Sequence, residues 1–107
     1  MFVYADNAAT TCVSKTALDA MMPYLTTQYG NPSSLYAFAQ EAKEGLEEAR
    51  KTVADIIGAQ PKEIYFTSGG SEADNQAIVS MAKVGAIKGK KHLISTKFEH
   101  HAVLHTL

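Results

Sequence analysis

Apolar residues at steps of four and three dominate the middle of the chain. Leu35, Ala39, Ala42, Leu46, Ala49, Val53 and Ile56 fall on one helical face, and this spacing predicts a long amphipathic helix. Gly58 supplies its stop signal and Pro61 blocks its continuation. A shorter stripe of Ala17, Leu18, Met21, Met22 and Leu25 follows Ser14, a good N-cap, and Pro23 is expected to kink or shorten that helix because it lacks an N–H. Between the two stripes, Tyr29-Gly30-Asn31-Pro32-Ser33-Ser34 is dense in turn residues. Glu72, Ala73, Ala77, Ile78, Met81 and Ala82 define a third stripe that ends near Lys88-Gly89, with basic residues at the negative end of the dipole.

Two short runs depart from helical spacing. Glu63-Ile64-Tyr65-Phe66-Thr67 and His92-Leu93-Ile94-Ser95-Thr96 have the β-branched and aromatic content of buried strands. Strand, helix and strand in this order predict a βαβ unit with a right-handed crossover, in a fold of the α/β class. Ligands in such sheets sit at the carboxyl ends of the strands. The loops Thr67-Ser68-Gly69-Gly70-Ser71 and Lys97-Phe98-Glu99-His100 both follow such ends, so both can face one crevice. Upstream, Tyr4 to Thr11 is small and polar, as suits a loop or arm. At the other end, His100 to Leu107 reads as the first turns of a helix without a C-cap glycine, which predicts that the fold continues past this chain.

Composition narrows the classes. With 107 residues, 46% hydrophobic, 20% charged and a formal charge of -1, the chain has the make-up of a globular domain and no basic stripe for nucleic acid. No apolar run is long enough to span a bilayer. Met1-Phe2-Val3-Tyr4-Ala5-Asp6 lacks the charged and apolar regions of a signal peptide, and the single Cys12 has no internal disulfide partner. The expected compartment is the cytoplasm.

The stretch "FTSGGSEADNQAI", Phe66 to Ile78, places two glycines and a hydroxyl at a strand-to-helix corner. Glycine admits a ligand close to the backbone, and a helix start presents unpaired N–H donors at the positive end of its dipole. The corner therefore suits an anion, most often phosphate. The plainer alternative is a capped turn, with Ser71 as N-cap and Asp74 three residues on. Neither G-x-x-x-x-G-K-[ST] nor G-x-G-x-x-G occurs, so the common nucleotide signatures are absent. Of the histidines, His92 and His105 suit structural or solvated roles, whereas His100 and His101 follow a strand end at the level of the corner. His101 and His105 are the only near match to metal-ligand spacing, and no metal site is assigned. Cys12 sits in an early loop without a visible base.

Four segments, "YADNAATTCV", "YGNPSSLYAFAQEAKEGLEEAR", "EIYFTSGGSEADNQAI" and "HLISTKFEHHAVLHTL", resemble in order and spacing the N-terminal quarter of the cysteine desulfurases, pyridoxal-phosphate enzymes of the class V aminotransferase group. The resemblance implies the N-terminal part of a fold type I transferase, a three-layer structure with a mostly parallel sheet. It implies an N-terminal arm and helix over 1–34, then the long helix and the start of the cofactor-binding domain over 35–107. By resemblance Gly70 and Ser71 bind the cofactor phosphate, and His100 stacks on the pyridine ring and assists proton movements. The implied reaction removes sulfur from L-cysteine to give L-alanine and an enzyme persulfide, for iron–sulfur cluster assembly or related sulfur transfer. The implied partners are a second copy in a homodimer and a sulfur-acceptor or scaffold protein. The family's cofactor-binding lysine, its acidic partner for the pyridine nitrogen and its sulfur-accepting cysteine have no match within residues 1–107, so this stretch alone is expected to be inert. Ser71 stands where threonine is common, Tyr36 where histidine is frequent and Ala39 where glycine is frequent, which leaves the subgroup open. Two alternatives stand beside this reading: another class V enzyme, such as a selenocysteine lyase or an aminotransferase, and a truncated non-catalytic module.

Overall fold

The computed structural model describes residues 1–107. The chain divides into two compact units, Met1–Ile64 and Tyr65–Leu107. In the first, α1 (Lys15–Thr26) opens with Ser14 as N-cap, whose hydroxyl accepts the Ala17 N–H at 3.2 Å. The helix runs through Pro23 to Thr26, so the expected shortening does not occur. Two threonine hydroxyls close its end: Thr26 donates to the Met22 carbonyl at 2.7 Å and Thr27 to the Pro23 carbonyl at 3.2 Å.

The long predicted helix is α2, Ala37–Ile57. Gly58 stops it in the left-handed conformation, φ 70°, where a Cβ would be strained. Its N–H and that of Ala59 return to the carbonyls of Asp55 and Ala54, the paired bonds of a Schellman ending. The returning segment forms a 3₁₀ turn, Pro61–Glu63, that packs against α2. Glu63 Oε2 accepts the Gln60 N–H at 2.7 Å, and Arg50 donates from α2 to the Ile64 carbonyl. Ala54, one turn beyond Arg50, is fully buried. Gly30 meets the start of α2 so closely that a Cβ would lie 2.6 Å from the Phe38 carbonyl oxygen and 2.9 Å from Ala39 Cα. Those are main-chain atoms, so any larger residue at Gly30 must displace backbone.

In the second unit, α3 spans Gly70–Ile87 and α4 spans His101–Leu104, and the two pack together. The chain contains no strand. Glu63 belongs to the 3₁₀ turn, and neither 64–67 nor 91–96 carries regular secondary structure. The physical reason is that apolar content specifies what a segment buries, whereas a ladder also needs a neighbour about 4.8 Å away. These two segments do not provide that neighbour for each other.

Only Ala39, Ala42 and Ala54 are buried. Leu35 and Ile56 of the predicted stripe are 95% and 77% exposed. The accessible surface is 9123 Å², against about 5,800 Å² for a folded monomer of 11.5 kDa. Thus the amphipathic helices form while their apolar faces stay largely uncovered. Because the denaturant slope scales with surface buried on folding, residues 1–107 alone should unfold in urea with a slope at or below about 1 kcal/mol/M. A steep, cooperative transition in an equilibrium urea titration followed by circular dichroism would contradict this account of the fold.

Candidate functional site

The glycine corner is built by a hand-over between two caps. Gly69 is the N-cap of α3 and has no side chain to cap with. Glu72, at the third helical position, takes over: its Oε2 accepts both the Ser68 N–H at 2.6 Å and the Ser68 hydroxyl at 2.7 Å. The Thr67 hydroxyl donates to the Gly69 carbonyl at 3.1 Å, and that carbonyl also accepts the Ala73 N–H at 3.2 Å. Ser71 is therefore inside the helix and does not cap it, which removes the capped-turn alternative centred on Ser71 and Asp74.

The consequence is a set of uncommitted donors. The N–H groups of Gly70 and Ser71, and the Ser71 hydroxyl, have no acceptor within the chain, because a helix leaves its first N–H groups without intrahelical partners. A Cβ built at Gly69 or Gly70 meets nothing within 4 Å, so the space beside these donors is open. Two backbone donors, a hydroxyl and the positive end of an 18-residue helix fit a phosphate monoester. Glu72 is the one opposing charge, and its carboxylate is turned back onto Ser68.

His100 is the N-cap of α4, where its Nδ1 accepts the Ala102 N–H at 3.1 Å. In the neutral ring the proton therefore sits on Nε2, which leaves Nε2–H and the ring faces for other contacts. Thr96 donates to Glu99 Oε1 at 3.2 Å, bracing the loop ahead of His100. His101 stacks on His105 one turn on, with ring centroids 5.3 Å apart and planes at 13°; it meets His100 only edge-on at 6.2 Å. Gly70, Ser71 and His100 thus lie in one compact unit, at the starts of two packed helices. No hydrogen bond or ring contact joins the corner to His100 directly. Cys12 is exposed in the other unit.

Sequence reasoning missed two contacts. The Ser68–Glu72 pair has four-residue spacing and escaped a search for caps three apart. Asn75 and Thr106, which meet through Thr106 Oγ1 and Asn75 Oδ1, are far apart in sequence and carried no local signal.

Comparison with known proteins matches residues 3–107 to the family described as Aminotransferase class-V. The chain is 53% identical over 104 residues to cysteine desulfurase IscS of Methanosarcina thermophila, covering 97% of this chain and 26% of that protein. It is 53% identical over 106 residues to the protein of the same description from Neisseria meningitidis serogroup A, covering 98% and 26%. Among solved structures, a NifS-like protein superposes with a TM-score of 0.87 at 39% identity, over 99% of this chain and 29% of that one. The chain therefore spans about a quarter of the length of the curated relatives it matches. No helix is long and apolar enough to cross a membrane.

The Ser68 hydroxyl and then the Ser68 N–H hold the Glu72 carboxyl below its ordinary value of 4.5. A depressed folded-state value means that the contact stabilises the corner above the unfolded value and is lost as pH falls through the folded one. Carboxyl ¹³C shifts should accordingly give a Glu72 midpoint below 4.5, which returns toward the ordinary range in Ser68→Ala. An ordinary midpoint in the unsubstituted protein would remove the hand-over.

Proposed function

The chain belongs to the class-V aminotransferase family, and from this premise we propose that it forms the phosphate-and-ring wall of a pyridoxal 5'-phosphate-dependent cysteine desulfurase. The observation that carries the reading is the set of uncommitted donors at Gly70 and Ser71, on a chain about half identical to cysteine desulfurases over nearly its whole length. The proposed overall reaction converts L-cysteine to L-alanine and leaves sulfur as a persulfide on an enzyme cysteine, for delivery to iron–sulfur cluster assembly or related sulfur transfer. A homodimer, a sulfur-acceptor or scaffold protein and a cytoplasmic setting belong to the same proposal. So does the mostly parallel sheet, in which 64–67 and 92–96 become strands once neighbours pair with them. Residues 35–107 then comprise the long helix and the start of the cofactor-binding domain, after an arm and helix over 1–34.

Bound pyridoxal phosphate supplies the electron sink that such chemistry needs. This chain's residues do the holding and the proton handling. Gly70 and Ser71 donate to the phosphate, fixing the cofactor at the α3 start where the helix dipole favours negative charge. His100 offers a flat imidazole to the ring. With Nδ1 held by the Ala102 N–H, Nε2 is the atom left to carry or release a proton.

Two substitution experiments on the full-length chain test the assignment. Ser71→Ala should weaken pyridoxal phosphate binding by about 1 kcal/mol or more, for the loss of one charge-assisted hydrogen bond. Gly70→Val, which puts a branched side chain into the open space beside the donors, should weaken it more. Unchanged affinity in both variants, measured by equilibrium dialysis, would refute the phosphate assignment. Separately, His100→Ala should alter the cofactor's visible spectrum and depress alanine formation strongly, with His101→Ala doing much less. Equal effects of the two would count against His100 as the ring partner.

A further inference from the structure

The helices that carry the two halves of the site pack together and are linked by a side-chain hydrogen bond from Thr106 to Asn75. Thr106 Oγ1 stands against Asn75 Oδ1 on α3 and lies 2.8 Å from the Ala102 carbonyl on α4. A hydroxyl has one proton, so Thr106 shares it between these two acceptors. Ala102 is also the residue whose N–H is accepted by His100 Nδ1. The peptide groups flanking Ala102 are thus held from both sides, by Thr106 at the carbonyl and by the imidazole at the N–H. The path from α3 runs Asn75, Thr106, Ala102, His100.

The start of that path is placed with equal definition. Asn75 is four residues after Ser71, and residues so spaced lie on the same face of a helix, one turn apart. The contact therefore pins α4 to the face of α3 that carries Ser71, one turn in from the uncommitted donors. With only four residues, α4 has little intrinsic stability of its own. Tertiary contacts must hold it, and the Thr106–Asn75 link is the polar one among them.

We infer that Asn75 and Thr106 are positioning residues that hold the His100 imidazole in register with Ser71. The inference rests on the proposed function for its purpose, because the shared register is what lets one ligand reach both His100 and Ser71. The device itself concerns only residues of this chain. Neither residue touches the reacting atoms; each acts through Ala102 and the cap.

The test uses the full-length chain, ¹⁵N-labelled and without added cofactor, as the unsubstituted protein, Asn75→Ala, Thr106→Val and Thr106→Ser. In the unsubstituted protein the His100 ring nitrogens should report a single tautomer with an accepting Nδ1. In Asn75→Ala and Thr106→Val the ring shifts should move toward a free imidazole that exchanges tautomers. Exchange of the Ala102 amide should speed up about fivefold, the effect of one neutral hydrogen bond. Thr106→Ser keeps the hydroxyl and should restore both readouts. A merely structural role would lower the melting temperature while folded molecules kept the original ring shifts, and that result would overturn the inference. Should Thr106→Val fail to fold, Asn75→Ala decides the matter, since Asn75 is exposed. A His100→Ala arm, read by visible circular dichroism with pyridoxal phosphate added, tests the underlying functional reading by itself. No change there refutes that reading, and the ring-shift arm still decides whether Asn75 and Thr106 hold His100.

Discussion

Everything proposed for this site depends on where the Glu72 carboxylate goes. At the third position of α3 it could accept from N–H groups of its own first turn, and the helix would then have fewer donors to offer. Instead it reaches back past a side-chain-free N-cap to Ser68, whose N–H and hydroxyl it accepts together. That choice closes the loop ahead of the helix, holds the acid ionised, and leaves Gly70 and Ser71 with donors pointing at nothing within the chain. Glycine at positions 69 and 70 completes the arrangement, since any Cβ there would stand in the open space beside the donors.

The second half of the site follows a similar logic with a different residue. A histidine N-cap is an uncommon choice beside serine, threonine or aspartate. Its cost and its use are the same fact: capping occupies Nδ1 and so fixes which nitrogen remains for chemistry. A serine at position 100 would cap α4 as well and leave neither a ring face nor a second nitrogen. The cap also ties the ring's orientation to the backbone of a four-residue helix, and that helix in turn leans on α3. Local structure and the proposed chemistry therefore share one set of hydrogen bonds.

Much of this was legible in the sequence, and the failures have physical causes. The stripe from Ala39 to Val53 and the glycine at 58 located α2 because helix period and left-handed stop are local properties, set within a few residues. Ser14 was readable as a cap for the same reason. Pro23 does not shorten α1, because its lost N–H costs one bond near the end of a helix whose Met22 and Pro23 carbonyls accept from Thr26 and Thr27. The runs at 63–67 and 92–96 were read as strands from composition, and composition cannot supply the neighbour a ladder requires. Gly70, Ser71 and His100 stood out through position and family resemblance, yet the residues that arrange them did not. Ser68 acts through a four-residue reach-back, and Asn75 with Thr106 through a contact across 31 positions; neither leaves a periodic trace.

The central claim is that Gly70 and Ser71 keep their N–H groups for a phosphate. Amide spectra of the ¹⁵N-labelled full-length chain, titrated with pyridoxal 5'-phosphate and in parallel with pyridoxal lacking the phosphate, test it most directly. The account predicts a saturable downfield movement of the Gly70 and Ser71 amide protons with the phosphorylated ligand alone. Binding of pyridoxal phosphate that leaves both amides unmoved, or that shifts the starts of α1 and α2 to the same extent, would contradict it.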